Sequence, residues 1–428
     1  MLSPGGDPTA SPRAILRVIM RPLVICGCLF LLIATQVRAQ EACSHESLQN
    51  ATARFKSTQQ KLLAVKVGYE GMDTDVQPST RKLIHEFKDA LAATVAEYMS
   101  CTPKDVSDVK QIEVALTGLL GGNWPGSPTS STPGTAGEFV DQIYGSHLSL
   151  SVARPSSHSE LVIVKFIFGI NCGDDNMLLV YERRSGRWSR VLFWQSGDYT
   201  TIGGAFGDFF SYLIVPRGGP DDWVLAVAHG MPWCTSRWSG FDVDVIQPAH
   251  GDAPQRLLFH REAGYVRDED VEMKLRPGGF EIRAKTGSID MEIMTRKVIY
   301  SYRLVDGTVQ RVQPVALNGR DFVDEWLKTD WKEAEQWSAQ QNAQSLREMH
   351  AQINELRSPG TKNWTSFTYR AVRACSVDPG HFQVELDQDP GVPTYFQIRQ
   401  GNNYFEMLSD AREPDPKCNG PDLMRKPS

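Results

Sequence analysis

After its first 39 residues the chain has no further apolar run of membrane length, no C-x-x-C pair and no excess of basic residues. It also lacks G-x-S-x-G, a phosphate-binding P-loop and a complete H-E-x-x-H. Each absence removes a class. Without a second apolar run, no further transmembrane helix is expected, since a span takes about 20 residues. Without C-x-x-C, a thiolate zinc site or a thioredoxin-like redox pair is disfavoured. A net charge of −6 lacks the basic footprint of a nucleic-acid binder. Without a nucleophile elbow, an α/β-hydrolase site is unsupported. His45-Glu46 and His85-Glu86 begin like zincin helices, but neither has the second histidine. Asp73-Thr74-Asp75 and Asp387-Gln388-Asp389 lack the remaining ligands of a calcium loop. No cofactor and no metal are expected.

What is present begins with residues 1–39, which read as a secretory signal. Arg13, Arg17 and Arg21 form a basic start, Leu23 to Ala34 a short apolar run, and Val37-Arg38-Ala39 a small-residue cleavage site before Gln40. An uncleaved anchor and a lipoprotein acylated at Cys28 are the competing readings. Cys28 is disfavoured because the apolar run continues past it. Cleavage removes four Arg and one Asp, moving the formal charge from −6 to −9. The remaining chain, roughly 390 residues, is ample for a core and predicts two or three domains. A secreted or periplasmic location follows, with no membrane span after cleavage.

Cys26 and Cys28 leave with the signal, so six cysteines remain: Cys43, Cys101, Cys172, Cys234, Cys375 and Cys418. An even number in an exported chain predicts disulfides. They fall two by two into three regions, so sequential pairing is the simplest expectation. Free buried thiols are the alternative.

The predicted fold class is α+β. Residues 40–122 read as helical: Leu83, Ile84, Phe87, Leu91, Val95 and Met99 share one face after Pro78-Ser79, and Val106 to Leu120 forms a further helix stopped by Gly121-Gly122. Residues 123–137 are a Pro/Gly/Ser/Thr linker. Residues 138–317 read as antiparallel β meander repeats. Three hairpins (SLSVARPSSHSELVIVKF, SYLIVPRGGPDDWVLAV and VEMKLRPGGFEIRA) are each followed by a second hairpin, with turns at Ser185-Gly186, His250-Gly251 and Asp306-Gly307. Three four-stranded meanders of roughly 50–60 residues suit propeller-like blades; a sandwich is the competing layout. Residues 318–358 form a helical segment. Phe322, Trp326 and Leu327 start a helix, Asp330 and Glu333 resemble a capping box for a longer one, and a stripe of Leu346, Met349, Ile353 and Leu356 continues to Pro359-Gly360. Trp326, Trp331 and Trp337 read as core anchors. Residues 359–428 return to strands, as a fourth meander displaced by the helices or as a small separate β region tied by Cys375 and Cys418.

The densest cluster of reactive residue types is NCGDDN, Asn171 to Asn176. The strands ending at Gly169 and at Gly230 hold equivalent places in successive repeats, and each is followed by a cysteine, Cys172 and Cys234. The first reading is a turn pinned by a disulfide, with Asp174, Asp175 and Asn176 as turn formers. The second is a ligand mouth on the same rim, formed by Asp174, Asp175, His229, Trp233, Arg237 and Trp238.

Ser79-Thr80-Arg81-Lys82 and Ser107-Asp108-Val109-Lys110 match S-x-x-K, and Lys285-Thr286-Gly287 matches K-T-G. Together they resemble motifs of penicillin-binding proteins and serine β-lactamases, which would imply a Ser nucleophile one helical turn from a Lys. The S-x-N or Y-x-N motif of that family is missing between Lys110 and Lys285, and the intervening chain is β-rich. Two functions are therefore carried forward. One is an exported non-catalytic protein that binds an unknown protein or small ligand of the cell envelope through loops of a β scaffold. The other is an exported hydrolase whose site assembles only in three dimensions, of which a penicillin-binding-protein-like Ser/Lys site is the specific version.

Overall fold

Period-2 and period-3.6 patterning resolves into six α-helices and sixteen strands among the described residues. The structure, a computed structural model, describes residues 44–65, 76–102, 108–121, 144–145, 148–170, 173–197, 209–219, 222–230, 237–266, 271–358, 364–376 and 378–424. The expected signal at 1–39 and the linker at 123–137 lie outside them.

Three helices come first: α1 (His45–Leu63), α2 (Pro78–Cys101) and α3 (Val109–Leu120). The Ser44 hydroxyl caps α1 by accepting from the Ser47 N–H at 3.3 Å, and Asp108 caps α3 from Lys110 N–H at 2.9 Å. Helix α2 opens on Pro78, where no N–H is needed. Helix α3 stops at Gly121, whose φ of 97° only glycine adopts readily, as the sequence predicted.

Four antiparallel sheets follow, each of four strands in chain order. The first is β1 (Ser149–Ala153), β2 (Leu161–Ile170), β3 (Gly173–Arg184) and β4 (Arg187–Gln195). The second is β5 (Phe210–Pro216), β6 (Trp223–Gly230), β7 (Trp238–Gln247) and β8 (Arg256–Val266). The third is β9 (Glu272–Arg276), β10 (Gly279–Gly287), β11 (Thr295–Val305) and β12 (Thr308–Val312). The fourth is β13 (Ser366–Ala374), β14 (His381–Asp389), β15 (Thr394–Gln400) and β16 (Phe405–Ala411). Ser185-Gly186 and Asp306-Gly307 turn with φ of 48° and 75°, and 48° and 76°, the double positive φ that a tight two-residue hairpin requires.

Alternation decides what each face meets. On the first sheet, Val164, Phe166 and Phe168 face the helices, where Phe87 meets Phe168 edge-on at 5.0 Å. Its opposite face, with Leu161, Ile163 and Leu178, packs on Leu225 and Val227 of the second sheet. The second sheet then turns Val224, Ala226 and Ala228 toward Ile282 and Tyr300 of the third. Strand β6 is buried at every position because both its faces are covered, which is why WVLAVAHG reads as a continuous apolar run.

Of the two layouts expected for the end of the chain, the structure has the four-stranded meander, whose first strand, Ser366–Ala374, is not marked by the sequence pattern. The first helix of the segment is present as α4 (Gly319–Lys328), but the longer helix expected from Asp330 onward is broken into α5 (Trp331–Gln336) and α6 (Ala343–Leu356). Between them the backbone leaves the helix to bond the fourth sheet: Met407 N–H donates to Trp337 O at 2.7 Å and Ala339 N–H to Met407 O at 2.8 Å. Asp330 caps α5 through the Glu333 N–H at 2.9 Å, as the capping pattern predicted. Trp326 and Trp337 are buried in the core that these helices share with the fourth sheet, while Trp331 is half-buried against it. Cys375 and Cys418 form the expected disulfide, 43 residues apart in sequence. Loop-closure entropy makes such a link worth about 4 kcal/mol.

Candidate functional site

A sheet face that packs on another sheet is normally apolar, and on the second sheet that holds as far as Leu225 and Val227. The next positions outward break the rule. In register, His229 lies opposite Asp242, Asp242 opposite Glu262, Val227 opposite Asp244, and Asp244 opposite His260. The period of two places all five polar residues on the face turned toward the first sheet. Two histidines and three carboxylates thus occupy adjoining positions across β6, β7 and β8.

Burial falls from β6 to β8. His229 is 3% exposed, the Asp242 and Asp244 side chains 16% and 14%, and His260 50%. The His229 ring meets Trp194 edge-on at 4.8 Å, and its Nε2 is 3.6 Å from Asp242 Oδ2. Trp194 of β4 donates its indole N–H to Asp244 Oδ2 at 2.9 Å, and Asp244 Oδ1 lies 2.8 Å from His260 Nδ1. Burial pulls the His229 pKa down to about 4, so its imidazole is neutral at neutral pH and its contact with Asp242 is not an ion pair. Burial also raises Asp242 to about 6, with Asp244 and Glu262 adding to the rise and His260 opposing it. The hydrogen bond to Asp244 raises His260, against burial. One ligand atom from each of Asp242, His260 and Glu262 lies within 4.8 Å of the others, so these three side chains can hold a metal ion.

The residues expected from the sequence divide. Asp175 is fully buried and ion-paired with Lys88 of α2 at 2.9 Å, while Lys88 also donates to Ser196 O at 3.1 Å. The pair fastens α2 to the first sheet. Asp174 is half-buried beside it on β3, opposite Gly169. His229 does belong to the polar patch. Trp238, 38% exposed, lies elsewhere: its ring covers Gly287 of the third sheet, where a Cβ would stand 3.4 Å away, and the Arg237 guanidinium sits 5.7 Å over it. Trp233, Cys43, Cys172 and Cys234 lie outside the described residues. Cys101 is disulfide-bonded, and its partner lies outside them too. Strands β2 and β6, which end at the two predicted rim positions, are both second strands of their meanders.

The sequence reading missed Asp242, Asp244, His260, Glu262 and Trp194. The signal was available in F-D-V-D-V and F-H-R-E-A, where two ionisable residues two apart must share one strand face. The S-x-x-K motif at Ser79 and the K-T-G motif are not brought into one site, and Ser107 of the second S-x-x-K lies outside the described residues. Ser79 and Lys82 ride on α2 over the first sheet, Lys285 to Gly287 end β10 in the third, and the second sheet stands between. Lys285 instead lines an open groove of about 660 Å³ on the outer face of the third sheet with Arg283, Lys297 and Leu317. Comparison with protein-family profiles, with curated proteins and with solved structures finds no match to this chain.

Proposed function

We infer that this chain is an exported binding protein whose propeller-like stack of four-stranded meanders presents the polar patch of the second sheet to a ligand or partner of the cell envelope. The observation that carries the reading is the placement of His229, Asp242, Asp244, His260 and Glu262 on an otherwise apolar inter-sheet face, becoming exposed at β8. Polar groups at such positions cost stability unless they are bonded, and Asp242 Oδ1 has no hydrogen-bond partner among the described residues. Export is supported by the Cys375–Cys418 disulfide and by the basic, apolar and small-residue order at the N-terminus. The stacking of successive meanders face to face, with the second covered on both sides, favours blades over a two-layer sandwich. The patch moves recognition from loops, where the sequence placed it, onto strands.

Capture from an envelope extract by the mature chain, beside the His260→Ala/Glu262→Gln double variant and a Glu385→Gln control, tests this. The reading expects one set of captured species held by wild type and control and lost by the double variant. Equal capture by all three would refute it. A hydrolase is the second reading, favoured by Asp242, with its raised pKa, standing beside His229 and opposite Glu262. Turnover of ester or phosphate probes that disappears in Asp242→Asn would select it.

A further inference from the structure

We propose that Asp242, His260 and Glu262 form a site for one first-row divalent transition-metal ion, with Asp244 and Trp194 positioning the histidine. The inference deepens the binding reading above and rests on it for its location. Three observations carry it.

The first is the ligand set. A carboxylate oxygen from Asp242, one from Glu262 and an imidazole nitrogen from His260 converge within 4.8 Å. Three protein ligands of this kind leave room for water or a ligand atom in the remaining positions of the metal. An imidazole among the donors suits zinc and its neighbours better than calcium, which takes oxygen alone.

The second is the support behind His260. Asp244 Oδ1 accepts from His260 Nδ1–H at 2.8 Å, which leaves Nε2 with its lone pair as the ligating atom. Asp244 is itself held through its other oxygen by the indole N–H of Trp194 at 2.9 Å. An indole that fixes a carboxylate, which in turn fixes an imidazole, is the arrangement that orients metal-bound histidines. A surface histidine with no task does not need a buried tryptophan behind its partner.

The third is an imbalance that a cation would relieve. Asp242 and Glu262 are directly opposed across β7 and β8, and like charges there destabilise a sheet. Asp242 Oδ1 is buried and, among the described residues, has no hydrogen-bond partner. Burying such an atom is costly unless it gains a partner. A divalent ion between the two carboxylates neutralises both and supplies the Asp242 carboxylate with a partner that the protein does not give it.

The test is isothermal titration of the untagged, metal-stripped mature chain with zinc chloride, together with the visible spectrum on adding cobalt chloride. Saturable binding of one ion is expected, with a cobalt spectrum of nitrogen and oxygen ligation. His260→Ala and Glu262→Gln change exposed side chains, so folding is kept, and each should weaken binding at least about tenfold. Asp244→Asn, which removes only the support, should weaken it by about 10–100-fold. Glu385→Gln should change nothing, and calcium chloride in excess should not displace zinc. The proposal is overturned if the wild type shows no saturable binding, if the His260→Ala/Glu262→Gln double variant binds as the wild type does, or if calcium competes on equal terms. Zinc titration needs no partner. A chain that binds zinc but captures nothing keeps this inference and loses the binding reading, and one that captures a partner while ignoring zinc does the reverse.

Discussion

Toward the third sheet and the C-terminal helices, Arg261, Arg296 and Arg311 meet Asp324, Glu325 and Glu333, three cations against three anions. Toward the first sheet, Asp242, Asp244 and Glu262 meet His229, His260 and the indole of Trp194. Both sets lie on or beside the same second sheet. In the first, Arg296 bonds Asp324 and Glu325, and Arg311 joins Glu325 to Glu333, so each carboxylate is held by a guanidinium. Every one of these carboxylates has an arginine because the network fastens α4 and α5 to β8, β11 and β12. In the second set Asp244 ties β7 to β4 through Trp194 and to β8 through His260, but Asp242 Oδ1 is buried and, among the described residues, has no hydrogen-bond partner. On the reading proposed above, the first group closes the fold and the second is kept for a ligand.

The comparison is broken most forcefully at its closed side. Glu325→Gln leaves Arg296 and Arg311 buried without their shared partner and should cost about 3–5 kcal/mol in urea unfolding. A cost under 1 kcal/mol would mean that the network does not hold the helices. The same residue gives a pH signature. Burial pushes its carboxyl up, but Arg311 and Arg296 outweigh burial and hold it down at about 2. A carboxylate with a lowered folded pKa adds stability that is complete above its ordinary value of 4.5 and is lost as pH falls toward 2. The wild type should therefore lose more stability across that window than Glu325→Gln does, as read by unfolding midpoints at each pH.

Smaller effects belong to the open side. Trp194→Phe keeps the ring stacked on Phe210 but removes the indole donor to Asp244, and should cost about 1 kcal/mol by thermal unfolding. His260→Ala and Glu262→Gln should each change stability by no more than about 0.5 kcal/mol, because both side chains are exposed. If these two proved as costly as Glu325→Gln, the distinction between the two charged groups would collapse.

How much of this was legible in the sequence follows from which patterns are local. The hairpin turns at Ser185-Gly186 and Asp306-Gly307 were readable because the backbone there demands particular residues. The meanders were readable because alternation repeats. The break after Gln336 was not, since it comes from backbone bonds to Met407, about seventy residues on, which no local pattern encodes. His229 was found through its place at a strand end. Asp242, Asp244, His260 and Glu262 are not marked by the pattern because ionisable residues on alternating strand positions ordinarily face water, and only the stacking of the first sheet on the second shows that they share the face turned toward it. Asp175 drew notice in a cluster of turn formers, but its role is set by Lys88, a residue 87 positions earlier. A site shared by three strands is written in register, and register is fixed only once the strands pair.

The central claim is that the open group on the second sheet holds a ligand while the closed group does not. The most direct measurement is a crystal of residues 40–428 soaked in zinc chloride, with anomalous data collected on both sides of the zinc edge. The account predicts one strong edge-dependent peak bonded to Asp242, His260 and Glu262. A map with no such peak there, or with its peaks only at other residues, would contradict it.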